Sequence, residues 1–181
     1  RPLQEHYTQL NKELLTKWNS LNGKYTPTQA GIVANALEGN KRTAVIVCDG
    51  LRLEIAECVA KGLNDKDMMI SRNVALAVLP SVTENGMSAL FGGKDPAANA
   101  QSRFASLRLA CPDVGILPLG MIGESTTAKK LVLTYGDIDE VGEKKQMGGL
   151  KDIDNYETEL REKTKTLFRL GYEKVVLTTD H

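Results

Sequence analysis

The chain is 181 residues long, enough for one full domain or one domain with a small appendage, and 41% of it is apolar, an ordinary share for a folded core. Its 23 basic and 23 acidic side chains cancel, so charge alone does not recommend it as a sequence-independent binder of nucleic acid or of an anionic membrane. No apolar run approaches the ~18 residues that span a bilayer, and the opening RPLQEHYTQL lacks both the apolar centre of a secretory signal and an initiator Met, the latter suggesting a piece of something larger.

Leu3, Tyr7, Leu10, Leu14 and Trp18 recur at spacings of three and four, which predicts a helix over 3–21 with one apolar stripe, ended by Asn22-Gly23. A second helix is expected over 28–37. Both read as packing elements, residues 1–40, ahead of an α/β core over 41–181. The core opens with Thr43 to Leu63, where Val45-Ile46-Val47-Cys48 is a buried-strand pattern stopped by Asp49-Gly50. Leu51, Ile55, Cys58, Val59 and Leu63 then return the chain as an amphipathic helix. Ligands bind at the carboxyl ends of strands in open α/β sheets, which makes Asp49 a candidate for chemistry; its alternative role is a plain N-cap.

Val74 to Leu79 is a second apolar run of strand length, stopped by Pro80. In the PSVTENGMSALFGG that follows, Met87, Leu90 and Phe91 give a short helical face and place Thr83 at or next to a helix amino terminus. Residues 94–127 read as an insertion with a helix near 102–110. Lys130 to Tyr135 is a strand candidate that delivers Asp137, Asp139 and Glu143; residues 152–170 form a long amphipathic helix, and 174–179 a last strand ending in Asp180-His181. Cys48, Cys58 and Cys111 are odd in number and form no CxxC, with Cys48 and Cys58 in elements expected to be buried, which reads as reduced core thiols in a cytoplasmic protein.

Strands alternating with helices predict a mostly parallel sheet. Its strand ends share one edge, so Asp49, Thr83, the acidic turn after Tyr135, and Asp180-His181 are expected to converge there. Several carboxylates together are electrostatically costly unless a cation neutralises them, and mixed Asp/His/oxygen ligation suits zinc or manganese better than calcium. Two such ions ~4 Å apart would clamp a phosphoryl group in an in-line displacement, with a threonine oxygen as nucleophile.

IVCDGLR at 46–52, LPSVTENGMSALFGG at 79–93, IDEVGE at 138–143 and LTTDH at 177–181, in this order and at strand ends, resemble the PglZ domain of the alkaline phosphatase superfamily. The resemblance implies a three-layer α/β sandwich. It also implies two divalent metal ions, zinc first and manganese as the alternative. Asp49, Thr83, Asp180 and His181 would hold one ion, with Thr83 as the catalytic nucleophile; IDEVGE is similar to the superfamily's PDxxGH, so Asp139 and Glu143 would serve the other. Glu143 departs from that pattern, standing where many members have His. Arg52 and Asn85 are the candidate substrate contacts.

The expected activity is hydrolysis of a phosphodiester or monoester, of a nucleotide or nucleic acid, in a bacterial phage-defence (BREX-type) or signalling protein. Expected partners are the rest of a larger parent and other defence-system proteins, with no membrane. The alternatives are a catalytically degenerate interaction or regulatory module, and a sulfatase or phosphomutase of the same superfamily. The family pattern continues past TDH with a Gly and a further His, whereas this sequence stops at His181. The resemblance therefore implies at best one partly occupied metal site and little activity in the chain as given.

Overall fold

The computed structural model describes residues 2–20, 26–63, 68–95, 98–136 and 153–181. Within them the elements run α1 (Pro2–Ser20), α2 (Ile32–Leu37), β1 (Thr43–Cys48), α3 (Leu53–Gly62), α4 (Thr83–Leu90), α5 (Ala100–Ala110), β2 (Gly115–Pro118), a short 3-10 turn (Leu119–Met121), β3 (Lys130–Tyr135), α6 (Ile153–Arg169) and β4 (Lys174–Thr179). The four strands form one sheet in the order β2-β3-β1-β4, and every pairing is parallel.

Strand β1 is buried along its whole length, which explains why it reads as an unbroken apolar run rather than an alternating one: both faces of the sheet are covered. Ala44, Ile46 and Cys48 face a core shared with Ile55 and Val59 of α3 and with Leu160 and Leu167 of α6. Val45 and Val47 face the opposite core, with Val33 and Leu37 of α2, Leu90 of α4 and Leu107 of α5. Helices on both sides of a parallel sheet make the expected three-layer α/β sandwich. Each fully buried Val, Leu or Ile in these layers contributes about 1.5–3 kcal/mol.

Three sequence expectations need correction. Residues 74–79 are not a strand: Val74 is 95% exposed and Leu76 and Leu79 about half exposed. The Leu76 peptide is instead engaged by Thr28, whose backbone N–H donates to Leu76 O (2.9 Å) and whose hydroxyl accepts from Leu76 N–H (2.9 Å). The stretch read as an insertion contains a strand, β2, at the sheet edge. Cys58 is exposed rather than in the core. In addition, α2 begins at Ile32 rather than residue 28, because Gly31 at its N-cap takes a left-handed conformation (φ 72°). Helix α1 runs Pro2–Ser20, and the stripe read as a packing face leaves Tyr7, Leu10, Leu14 and Trp18 exposed instead.

Candidate metal centre

Register builds the site. Cys48 pairs with Tyr135 on one side and with Thr179 on the other, so β1 and β4 finish level and their next residues, Asp49 and Asp180, are neighbours at the carboxyl edge, on strands ~4.8 Å apart. The turn after β1 is then bonded to the end of β4. Gly50, at φ 65°, donates its N–H to Asp180 Oδ1 (3.1 Å), and Leu51 N–H donates to Thr179 Oγ1 (3.0 Å). A side chain at Gly50 would resist that left-handed turn.

Asp180 is wholly buried, while the His181 side chain is 29% exposed, with Nδ1 2.8 Å from Asp180 Oδ2. A carboxylate can only accept, so without an ion Nδ1 donates this bond, and holding an ion beside Asp180 requires a ring nitrogen free of hydrogen. One ligand atom each of Asp49, Asp180 and His181 lies within 4.8 Å of the others. Thr83 enters from the opposite bank as the first residue of α4. Val82, not Thr83, is the N-cap, and the Thr83 hydroxyl points to Asp49 Oδ1 at 3.4 Å, beyond the ordinary O–H···O range. The two groups are juxtaposed rather than tightly bonded.

Asp49, Thr83, Asp180 and His181 are therefore brought together. Arg52 lines the cleft beside them, but its side chain is largely exposed and paired with Glu54 (3.1 Å). The Asn85 amide donates to Pro80 O (2.8 Å), steadying the loop that leads into α4. Asp139 and Glu143 lie outside the described residues, as do Asp137 and Glu140.

Negative charge at the site registers on its neighbour. Burial pushes the Cys48 thiol up to about 12, and the Asp180 and Asp49 carboxylates add to the shift. The sign follows: folding favours the neutral thiol, so this contribution to stability is full below the unfolded thiol pKa near 9 and falls as pH rises through about 12. At pH 8, iodoacetamide is expected to alkylate the exposed Cys58 in the native protein and to leave Cys48 untouched until urea unfolds the chain. Peptide mass spectrometry of the labelled protein reads this directly, and prompt native labelling of Cys48 would contradict its burial.

The donor set fits a divalent ion of the zinc or manganese type: two carboxylates, one imidazole and one hydroxyl at a single edge, with nitrogen and oxygen mixed. Residues 31–107, fewer than half of the chain, match the model of the family described as the BREX system PglZ alkaline phosphatase-like domain. This stretch is PglZ-like. No curated protein and no solved structure matches the chain. The PglZ-like stretch contains Asp49 and Thr83, while Asp180 and His181 lie beyond it and join them through the β1–β4 register.

Sequence reading missed two residues that hold this site together. Gly86 is buried one turn after Thr83, and a Cβ there would stand 2.5 Å from Asp180 O. A glycine inside so short a helix is a sign of close backbone approach. Gln29 is 4% exposed and bonded to the Asp180 carbonyl, and nothing in the polar run around it marks it.

Proposed function

We propose that the protein is a metal-dependent phosphoric ester hydrolase acting on phosphodiesters or monoesters of nucleotides or nucleic acid, in a bacterial defence or signalling setting. The observation that carries this reading is the Thr83 hydroxyl 3.4 Å from Asp49, whose carboxylate clusters with Asp180 and His181. Asp49, Asp180, His181 and Thr83 would hold one divalent ion, with Asp139 and Glu143 proposed for a second. Bound metal would supply Lewis acidity toward the hydroxyl and the phosphoryl oxygens.

Thr83 Oγ1 attacks phosphorus as its proton passes by way of Asp49 Oδ1 to solvent, and the ester oxygen departs from the opposite side with a proton taken from water. The N–H groups of the first turn of α4 face the phosphoryl oxygens with the positive end of the helix, and Arg52 at the cleft mouth supplies a fork for a further phosphate oxygen. Water then cleaves the phosphothreonine ester and restores the hydroxyl.

The test is hydrolysis of a chromogenic phosphodiester and monoester by the full-length protein with zinc or manganese. Turnover is expected to be abolished by chelator, restored by metal and lost in Thr83→Ala. Metal-independent or Thr83-independent turnover refutes the mechanism. No metal uptake and no turnover favours the interaction module instead.

A further inference from the structure

We infer that Gln29 is a positioning residue for this site, one that fixes the bank carrying Thr83 against the bank carrying Asp180; the inference rests on the metal reading above. Gln29 belongs to no helix or strand, yet its side chain is buried and both ends of its amide are used. Nε2 donates to the Asp180 carbonyl, and Oε1 accepts from Val78 N–H (3.1 Å). A carbonyl can only accept and a peptide N–H can only donate, so the partners themselves dictate which way the amide points. Polar groups at this depth are retained only when bonded, and here a single side chain satisfies a peptide group on each bank.

The main chain around Gln29 acts in the same direction. Thr28 and Gln29 N–H groups both reach Leu76 O (2.9 and 3.2 Å), and Gly31 N–H reaches Ala89 O near the end of α4 (2.9 Å). Residues 28–31 are thus a strap over three pieces of chain: the 76–78 segment that runs toward Thr83, the helix that begins with Thr83, and the peptide of Asp180. That same Asp180 carbonyl is the atom against which Gly86 packs. The Asp180 backbone is therefore held from two sides, by an amide that pulls on it and by a helix that abuts it. Releasing the first would let the end of β4 and the Thr83 segment separate. The expected loss is in ligand geometry, where outer contacts of metal ligands are worth 10–100-fold in affinity and a displacement of ~1 Å costs ~10²-fold in rate.

The probe is zinc alone, titrated into the intact chain in competition with a chromophoric chelator, beside thermal unfolding of each variant. Gln29→Met keeps the volume of the side chain and removes both amide contacts; its zinc affinity is expected to fall about tenfold. The control is Tyr172→Phe, which deletes the bond from Tyr172 Oη to Ala128 O (2.7 Å) at the amino ends of the strands and should leave zinc affinity unchanged, so a general loss of stability is separated from positioning. If Gln29→Met does not fold, Gln29→Asn, whose amide is one methylene too short to span both partners, is expected to show the same loss. Folded Gln29 variants that bind zinc as the parent does overturn the inference. A parent chain that binds no zinc overturns the metal reading first and this one with it.

Discussion

Asp180→Asn is expected to raise the unfolding temperature of the metal-free protein while it abolishes zinc binding, two effects of opposite sign from one substitution. Asp180 is wholly buried and its carboxylate accepts from Gly50 N–H and from His181 Nδ1, while the Thr179 hydroxyl, which donates to His181 O (3.0 Å), stands 3.4 Å from it. An amide of the same shape keeps its oxygen on Gly50, and its NH2 can donate to Nδ1 of the other histidine tautomer. The hydrogen bonds therefore survive and the charge goes. What disappears is repulsion with Asp49, whose carboxylate lies within 4.8 Å. At an effective dielectric of ~20 two like charges at that range repel by about 3 kcal/mol. Asp49 is only partly buried, so the net gain is expected nearer 1 kcal/mol, which is roughly 2–4 °C for a chain of this size. Zinc affinity should drop by at least ~100-fold, more than the loss of an outer-shell contact produces. Unfolding at pH 8, above the ordinary histidine range, with chelator and then with zinc, checks both halves. In the parent, zinc should raise the midpoint as any ligand of the native state does; in the variant it should not. A variant less stable without metal, or still stabilised by zinc, would mean that the carboxylate cluster is held by something other than a cation.

The opposed signs explain why part of this molecule was legible in its residues. A carboxylate straight after a buried strand is costly for folding, so Asp49 and Asp180 stand out against β1 and β4, and parallel register does the rest of the convergence. Thr83 converges too, although by a route the pattern did not predict. The apolar run at 74–79 has strand chemistry, but a strand needs a partner, and the Leu76 peptide is taken by Thr28 and Gln29. Propensity records what a segment can pair as, not what reaches it first. Strand β2 failed in the other direction. Gly115 and Pro118 read as punctuation, yet a Cβ at Gly115 would meet Ala128 Cβ at 2.8 Å, and Pro118 closes a strand on the sheet edge, where a missing N–H leaves no gap in the ladder. Cys58 reads as core because it shares a helical face with Ile55 and Val59; the stripe on α3 is narrower than that, and Cys58 falls outside it.

Gly86→Val is expected to cost the protein most of its stability, and Gly86→Ala already about 2–4 kcal/mol, near or just above the usual range for overpacking. Helix propensity points the other way, since Ala exceeds Gly by about 1 kcal/mol inside a helix. Sterics decide. A Cβ at Gly86 would lie 2.5 Å from Asp180 O and 3.0 Å from both its carbonyl carbon and its Cβ. Those are backbone and near-backbone atoms of a peptide pinned by Gln29 and by the β1–β4 ladder, so α4 must move as a unit. Thr83 is one turn earlier on that helix and would move with it, away from Asp49. Gly62, the last residue of α3, is the matched comparison: there a Cβ would meet Arg161 Nη1 at 2.6 Å and Cδ at 2.7 Å, atoms of a flexible, 27% exposed side chain that can swing aside at the expense of its pair with Glu157 (3.0 Å). Gly62→Ala is therefore expected to stay within about 1 kcal/mol of the parent. Urea unfolding of the two alanine variants measures the difference. Equal stability of the pair would show that α4 is free to slide on β4, and a helix that slides cannot hold a hydroxyl at a fixed distance from the carboxylates.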